Sequence, residues 1–312
     1  MRTWRLGVVV STVLLCAPLT ASAQTLVRDV RAAIARNDVP GAAGLVSVYR
    51  ASAGTTPEAL AALSWVGRGA LAAKDYDAAE RYARDTEKLV LEALKSRSLG
   101  SDPNLATALG AALETQAKVM AETGQRASAV KYLQDNIRTY RNSPIHMRLT
   151  KNLNLISLEG QRAPRLTAKD FLGPKMPDLT GRPVLMFFWA HWCPDCKAQA
   201  PILAELDRDY RDKGLLVIGP TKHFGYVAGG APATPAQELA HIDVVRKQYY
   251  NMLPNMPVPV SDEDAIDYGM DATPTIVLVD KAGIVRLFHP GNMTRAELEP
   301  RIKALIGGPG SN

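Results

Sequence analysis

The sequence predicts two architectures in one chain: an α-helical N-terminal domain, then an α/β domain with a mixed central sheet and helices on both faces. Residues 25–160 are rich in alanine, leucine and arginine and have little strand signal, whereas residues 184–306 alternate apolar runs with helical periods. A stretch with three glycines and four prolines, 159–183, lies between them. The 312 residues are enough for two domains of ordinary size.

The first residues, 1–23, have the pattern of a signal peptide. Two arginines precede a short apolar run at 6–15, and the sequence ASA at 21–23 fits a signal-peptidase site. The apolar run is shorter than the roughly 20 residues that span a bilayer. We therefore expect cleavage before Gln24 and export to the periplasmic or extracellular side, with an uncleaved membrane anchor as the alternative.

Residues 24–160 are predicted to form an all-helical domain, because helical periods there are separated by short breaks rich in glycine, proline or polar pairs. The predicted helices span 26–36, 57–73, 77–95, 105–122 and 128–140. The predicted breaks lie at 41–44, 74–75, 100–103 and 124.

Two segments of this domain resemble each other. Residues 67–85 and 117–135 share a small residue, a polar turn, and then a small residue followed by a tyrosine, Tyr82 or Tyr132. Their offset of 50 residues exceeds the 34 of tetratricopeptide repeats. Two interpretations stay open: degenerate helical hairpins of the tetratricopeptide type, or an alanine-rich bundle without repeat symmetry.

Residues 161–183 are predicted to be a linker, and residues 184–308 an α/β domain. A strand at 215–219 is expected to run parallel to one at 184–190, so that the loop after it, 220–234, emerges at the sheet end where Cys193 lies. In that loop His223, Phe224 and Tyr226 would shape a groove, or the loop is simply solvated. The other predicted strands are 257–260, 275–280 and 284–289, and the predicted helices are 194–214, 235–251, 262–269 and 294–306.

Charge and ligand spacing argue against two function classes. The net charge of +6 is spread along the chain without a basic block, so we predict no nucleic-acid partner. Zinc needs about four nitrogen or sulfur ligands, and the chain offers one Cys-x-x-Cys pair and five scattered histidines. We therefore predict no metal site and no cofactor.

The cysteines are the strongest chemical signal. The chain has three, and Cys16 lies in the predicted leader, which leaves Cys193 and Cys196. A bridge that encloses two residues stabilises a fold little, so a reversible redox role is favoured over a structural one. Pro194 suits the first position of a helix, which places the Cys193 sulfur at a helix N-terminus where a thiolate is stabilised. Asp195 opposes this in part, which favours a reducing or intermediate potential over a strongly oxidising one.

The stretch FFWAHWCPDCKAQAP at 187–201, followed by ATPT at 272–275 ahead of an apolar strand, resembles the thioredoxin fold, and in particular exported TlpA/ResA-type thiol–disulfide oxidoreductases. The resemblance covers about 165–306. The residues that carry it are Trp189, Ala190, Trp192, Cys193, Cys196, Lys197, Pro201, Thr273 and Pro274.

This resemblance implies an α/β thioredoxin-like C-terminal domain that exchanges dithiols and disulfides, with the reductase direction favoured. It also implies a cis Pro274 that faces the disulfide. Expected partners are protein disulfide substrates, a membrane or exported thiol that donates electrons, and a protein partner on the helical domain. The implied catalytic residues are Cys193 and Cys196, supported by Trp192, Thr273, Pro274, Pro194 and Asp195.

Two positions depart from the family pattern. Phe187 stands where many thioredoxins have a buried aspartate, and Gln199 stands where ResA-like reductases have a glutamate. The group that deprotonates Cys196 is therefore open, with His191, Asp195 and Lys197 as candidates. The alternative function is a partner-binding or scaffold protein whose helical domain recruits proteins and whose redox activity is secondary.

Overall fold

The computed structural model describes residues 25–307. The predicted signal peptide at 1–23, with Cys16, lies outside the described residues. Within residues 25–307, no helix combines the length and the apolar character that crossing a bilayer requires.

The first half of the described chain is helical, as predicted. Four of its helices begin after a side chain that accepts a hydrogen bond from a free backbone N–H, and three of those have proline in the first turn. The helices are α1 (Thr25–Ala35), α2 (Val39–Ala53), α3 (Pro57–Ala72), α4 (Tyr76–Ala93), α5 (Pro103–Glu122), α6 (Arg126–Thr139) and α7 (His146–Ser157). We call residues 25–157 the helical half.

One predicted break is wrong, and two helices, α2 and α7, were not predicted. Residues 41–44 lie inside α2, where Asp38 accepts a hydrogen bond from the Gly41 N–H at 2.8 Å. This cap and the Pro40 in the first turn outweigh the low helix propensity of two glycines. Helix α7 has no side-chain cap and carries several asparagine and threonine residues, so its sequence signal is weak. Packing against both halves of the molecule stabilises it instead.

The helices of this half form two layers. Helices α1, α3, α5 and α7 pack side by side, and α2, α4 and α6 each lie against neighbours in that layer. The two similar segments form equivalent hairpins, since each runs from the end of one inner helix through a turn with positive φ, at Lys74 or Gly124, into the next outer helix. Tyr82 and Tyr132 occupy matching half-buried positions on α4 and α6.

The second half contains the predicted mixed sheet with helices on both faces. We call residues 158–307 the sheet half. Its strands are β1 (Asp170–Leu172), β2 (Val184–Phe188), β3 (Leu216–Ile218), β4 (Val258–Val260), β5 (Thr275–Val279) and β6 (Val285–Pro290). Its helices are α8 (Pro194–Tyr210), α9 (Pro235–Tyr249), α10 (Asp262–Asp267) and α11 (Arg295–Gly307).

The central sheet has the strand order β3-β2-β5-β6, and β3 runs parallel to β2 as predicted. Side chains of β2 alternate between two cores, so that Phe187 faces α8, α9 and α11, whereas Phe188 faces α10 and α7. The predicted strand at 257–260 forms as β4, but it pairs with β1 in a separate two-stranded sheet. The predicted linker at 161–183 therefore contains a strand, and it also bonds to the β5–β6 turn through the Ala163 N–H and the Gly283 carbonyl.

Helix α7 joins the two halves. Leu149 belongs to the core of the helical half, and Leu158, just after α7, belongs to the core beneath β2. Lys151 forms an ion pair with Asp271 at 2.8 Å, and the Gly269 backbone packs directly against the α7 backbone. Asp271 lies two residues before Thr273, so α7 braces the loop that leads to Pro274.

Candidate active site

A disulfide between Cys193 and Cys196 occupies the N-terminus of α8. Cys193 is the N-cap residue, and its sulfur accepts a hydrogen bond from the Cys196 N–H at 3.1 Å. Pro194 occupies the first helical position. The sequence prediction for this turn is thus confirmed: a cysteine sulfur takes the place that an N-cap oxygen usually has.

The disulfide presents little surface. Cys193 is 2% exposed and Cys196 is fully buried, whereas Trp192, next to Cys193, is 46% exposed. Pro194 and Asp195 are exposed on the other side of Cys193. The exposed side chains next to the sulfurs in the sequence, Trp192, Pro194 and Asp195, are therefore the first that a reaction partner would meet.

The loop before β5 contacts the Cys193 sulfur. The Thr273–Pro274 peptide bond is cis, as the resemblance implied. The Thr273 carbonyl oxygen lies 3.5 Å from the Cys193 sulfur, and Pro274 is buried. Antiparallel pairing of β5 with β2 brings the loop there, because Thr275 is opposite Phe188 at the end of β2.

The loop after β3 lies at the same end of the sheet. Hydrogen bonds continue the β2–β3 pairing beyond the strands, since the Trp189 N–H donates to the Pro220 carbonyl and the Thr221 hydroxyl donates to the Trp189 carbonyl. The Phe224 ring then packs edge-on against Trp192 at 5.6 Å, and the Tyr226 ring packs against His191 at 5.6 Å. The loop therefore packs on the active-site turn.

His223 takes no part in these ring contacts. Its backbone N–H donates to Asp262 at 3.0 Å, which ties the loop to the start of α10. Of the three loop residues considered from the sequence, Phe224 and Tyr226 thus lie beside the disulfide turn.

A buried carboxylate holds this loop and the active-site turn together. Glu238 on α9 is fully buried, and it accepts hydrogen bonds from the Phe224 N–H at 2.6 Å and from the Gly225 N–H at 2.8 Å. Its Oε1 also lies 3.2 Å from Nε2 of His191, which is 2% exposed. Glu238 is thereby an acid in the site region, although it comes from an element other than the Cys-x-x-Cys helix.

The surroundings of the His191 ring favour its neutral form. Burial lowers its pKa, and the nearby charges of His241 and Lys197 act in the same direction, while the hydrogen bond to Glu238 opposes them. In the neutral ring, the tautomer that fits this contact carries its proton on Nε2 and donates it to Glu238. The other ring nitrogen, Nδ1, is then a basic site.

The two departures from the family pattern have structural roles here. Phe187 is fully buried and packs against Tyr250, with ring centroids 6.0 Å apart. The Gln199 side chain makes two hydrogen bonds to the Met293 backbone: its Nε2 donates to the carbonyl at 2.9 Å, and its Oε1 accepts from the N–H at 2.8 Å. A glutamate at 199 could not make the first of these bonds while ionised.

Of the three candidates for proton transfer, only His191 is buried beside the site. Asp195 is exposed, and the Lys197 ammonium lies over the Tyr249 ring at 4.3 Å. Across residues 25–307, no group of three or more histidine, cysteine, aspartate or glutamate side chains is placed to hold a metal ion.

Glu238 was missed in the sequence, although a signal for it exists. Its neighbours on the buried face of α9 are Ile242 and Val245, at spacings of four and seven residues. A carboxylate in such an apolar stripe requires a partner, because burying an unpaired charge is very costly. In the first turn of a helix, however, an acidic residue is also expected simply from the helix dipole, and this hides the signal.

Comparison with known proteins agrees with this geometry. The model of the AhpC/TSA family matches residues 160–288. The chain is 30% identical over 149 residues to the thioredoxin-like protein YneN of Bacillus subtilis, which covers 46% of this chain and 78% of that protein. The chain belongs to the thioredoxin-like family.

Two further proteins are similar to the chain over about half of its length. The thiol-disulfide oxidoreductase ResA of Bacillus anthracis is 28% identical over 151 residues, which is 47% of this chain and 78% of that protein. A crystal structure of a putative thiol:disulfide interchange protein DsbE from Chlorobium tepidum is 25% identical, covers 48% of this chain and 98% of that one, and has a TM-score of 0.37. Family membership places the chain among the thioredoxin-like thiol–disulfide oxidoreductases, and the sheet half contains the thioredoxin-like fold.

Proposed function

We propose that this protein is an exported oxidoreductase that reduces disulfides in other proteins through a Cys193/Cys196 dithiol–disulfide cycle. The observation that carries this proposal is the position of the Cys193 sulfur, which is the N-cap of α8, is bonded to Cys196, and lies 3.5 Å from the Thr273 carbonyl. A disulfide that closes a loop of two residues adds little to stability, so its value lies in its chemistry.

The cycle begins with the reduced pair. The Cys193 thiolate attacks one sulfur of a substrate disulfide, and the other substrate sulfur leaves as a thiolate and takes up a proton. Cys196 loses its proton and attacks the Cys193 sulfur, which releases the second substrate thiol and forms the Cys193–Cys196 disulfide. Two electrons pass to the substrate. A dithiol donor, a membrane or exported thiol, then reduces the disulfide and becomes oxidised itself.

The helix N-terminus supports Cys193 as the attacking residue. The Cys196 N–H points at its sulfur, and the helix dipole favours negative charge there. Both effects stabilise a thiolate over a thiol. Asp195 is exposed and opposes them weakly, so we expect a reducing or intermediate potential.

Proton transfer from Cys196 is assigned to the His191–Glu238 pair. The ring is neutral at neutral pH because burial lowers its pKa, so it can accept a proton. Glu238, 3.2 Å from Nε2, stabilises the imidazolium that results. This pair takes over the function that a buried aspartate or glutamate near the Cys-x-x-Cys helix has in relatives.

Substrate contacts are assigned to the residues around the disulfide. The exposed Trp192 offers an apolar surface, and Pro194 and Asp195 are exposed next to Cys193. The Thr273 backbone would pair with an extended substrate segment as an added strand, while the adjacent Pro274 has no N–H that could bond to a sulfur.

Export and domain organisation also belong to this proposal. Export rests on the sequence of residues 1–23. The proposed units are a helical domain at 24–160 and a thioredoxin-like domain at 184–308, joined by residues 161–183.

Trapping tests the cycle. In Cys196→Ala, the mixed disulfide at Cys193 has no resolving thiol, so covalent complexes with partner proteins should accumulate and be released by dithiothreitol. Cys193→Ala is the matched control and should give no such complexes. Mass spectrometry of the captured peptides identifies the bonded cysteine. Accumulation in Cys193→Ala instead would reverse the roles of the two cysteines, and turnover of insulin disulfides by Cys193→Ala would refute the cycle.

A further inference from the structure

The inner helices of the helical half carry a line of basic side chains that ends at the active-site loop. We call Arg31, Arg68, Lys118, Arg148 and Lys151 the basic ribbon. One or two of these residues lie on each of α1, α3, α5 and α7, in the order in which these helices pack. The ribbon therefore crosses the whole inner layer.

The far end of the ribbon is an arginine–tryptophan–arginine stack. The Arg31 and Arg68 guanidinium carbons lie 4.6 and 4.0 Å from the centre of the Trp65 ring. Neither arginine forms an ion pair within residues 25–307. Arg31 lines an open groove of about 720 Å³ that is bordered by residues of α1, α3 and α5. Arg31 is exposed at this groove, whereas Arg68 is half-buried, and stacking on the tryptophan fixes the positions of both side chains.

The near end of the ribbon is packed against the sheet half. Arg148 and Lys118 pair with Glu114 at 2.7 Å, and Lys151 pairs with Asp271 at 2.8 Å. Asp271 lies within about 7 Å of Thr273, since consecutive Cα atoms are 3.8 Å apart. The ribbon thus reaches the loop whose carbonyl touches the Cys193 sulfur.

Cations exceed anions along the ribbon, whose Arg31 end is exposed, whereas the Arg148 and Lys151 side chains are only 16% and 14% exposed. The carboxylates that accompany the five cations are Glu58 beside the groove, Glu114 and Asp271. Burial lowers the pKa of Arg68, and the charges of Arg148 and Arg31 add to this effect, while Glu114 and Asp271 oppose it. The positive charge of the ribbon is therefore least compensated at Arg31 and Arg68, because the other three cations are paired with Glu114 or Asp271.

We propose that the basic ribbon is the docking site for an acidic segment of the protein whose disulfide is reduced at Cys193. This inference rests on the proposed function and names the chemistry of its substrate. A segment rich in aspartate or glutamate would bind the two free arginines, follow the inner helices toward Asp271, and place a neighbouring disulfide at the Thr273 loop. Such complementarity raises the rate of encounter and fixes the orientation of the partner.

The test uses the full chain and three disulfide substrates. Two are synthetic peptides with the same cysteine-bonded core, one flanked by six glutamates and the other by six glutamines. The third is bis(2-hydroxyethyl) disulfide, which is small and uncharged. We expect kcat/KM for the glutamate peptide to exceed that for the glutamine peptide about tenfold at low salt, and to lose this advantage at about 0.5 M salt.

Charge reversal locates the effect. Arg31→Glu/Arg68→Glu should remove the preference for the glutamate peptide, and Arg31→Glu alone, at an exposed position, should reduce it without affecting the fold. Arg81→Glu/Arg84→Glu is the matched control, because both residues are exposed on the outer helix α4 and the net charge changes equally. It should keep the preference.

The outcomes separate this inference from the proposed function. If the small disulfide is reduced but the two peptides react equally, or if the control variant loses the preference as fully as the ribbon variant, the docking inference is refuted. If the small disulfide is not reduced by any form of the protein, the proposed function itself fails.

Discussion

The helical half and the sheet half each contain a carboxylate that is almost fully withdrawn from solvent, and the two differ in their partners. Glu114 on α5 pairs with the side-chain cations of Arg148 and Lys118. Glu238 on α9 pairs with two backbone N–H groups and with His191. Glu114 is thus paired with two cations, whereas Glu238 is paired with a side chain that can gain or lose a proton.

Under the proposed function, this difference assigns the chemistry to the sheet half. Burial alone would raise the pKa of Glu114, but the charges of Arg148 and Lys118 outweigh it and hold the pKa at about 2. Glu114 is thus ionised at neutral pH. It contributes to stability and offsets part of the charge of Arg148 and Lys118. The histidine beside Glu238 is neutral and basic, and it lies two residues from Cys193. Only the sheet half therefore combines a nucleophile with a proton acceptor.

The largest effect is expected where the two halves touch. A Cβ added to Gly269 would lie 2.3 Å from the Lys151 backbone nitrogen, and Gly269 has a φ of +62°. Gly269→Ala should therefore separate α7 from the active-site loop and cost about 4 kcal/mol, from the clash and the strained φ together. Urea unfolding followed by circular dichroism measures this cost.

Gly283→Ala is the matched control, because Gly283 has a φ of +76° but open space around its Cβ position. It should cost about 1 kcal/mol, from the backbone conformation alone. Equal losses in the two variants would show that the contact between α7 and Gly269 does not hold the halves together.

An intermediate effect on folding stability is expected when the pH is lowered. Because the folded pKa of Glu114 is lowered to about 2 from 4.5, its contribution is fully present above pH 4.5 and is lost as the pH falls toward 2. The shift corresponds to about 3 kcal/mol. We expect the stability of the wild type to fall over this range more than that of Glu114→Gln, with Trp65 fluorescence reporting on the helical half.

Glu299→Gln in the sheet half is the comparison variant for this prediction. The pKa of Glu299 is also lowered to about 2, chiefly by the Tyr210 hydroxyl and Lys303, but the side chain is solvent-accessible. Its replacement should therefore have a small effect. If the acid sensitivity of Glu114→Gln equals that of the wild type, the pair with Arg148 is not what stabilises the helical half.

The sequence predicted the sheet half more completely than the helical half, for physical reasons. Strand and turn signals around Cys193 are local: an apolar run, Pro194 at a helix start and Thr273-Pro274 before a second apolar run. Helix α7 and the two-stranded pairing of β1 with β4 depend on tertiary contacts that no local pattern contains. The helices of the helical half were predicted where capping residues and apolar periods agree. Helix α2 was not predicted, because its glycines resemble a break.

The candidate site shows the same limit. The two cysteines were predicted from their spacing, whereas Glu238 is 42 residues from Cys196 and reaches the site only because α9 packs beside the loop that follows β3. Phe224 and Tyr226 were named as groove residues, with a solvated loop as the alternative. Their contacts with Trp192 and His191 depend on the hydrogen bonds that Glu238 makes to the loop.

The smallest effect, and the one that tests the difference between the two carboxylates most directly, is expected from Glu238→Gln. The amide keeps the size of the side chain but loses the charge that raises the His191 pKa, so that pKa should fall further. If His191 accepts the Cys196 proton, the acid limb of the pH–rate profile should move to lower pH, and the rate at neutral pH should fall about fivefold, which is about 1 kcal/mol, because a weaker base accepts the proton less readily.

Asp243→Asn on the same helix removes an equal charge at a residue paired with Arg246 and Lys247, and it should leave the profile unchanged. The measurement is the single-turnover oxidation of the reduced protein by bis(2-hydroxyethyl) disulfide between pH 5 and 9, with Glu114→Gln measured alongside. If the acid limb of the pH–rate profile shifts in Glu238→Gln and not in Glu114→Gln, Glu238 acts on proton transfer and Glu114 does not. If the wild type and the three variants give the same profile, Glu238 has no role in proton transfer and only holds the Phe224 loop in place.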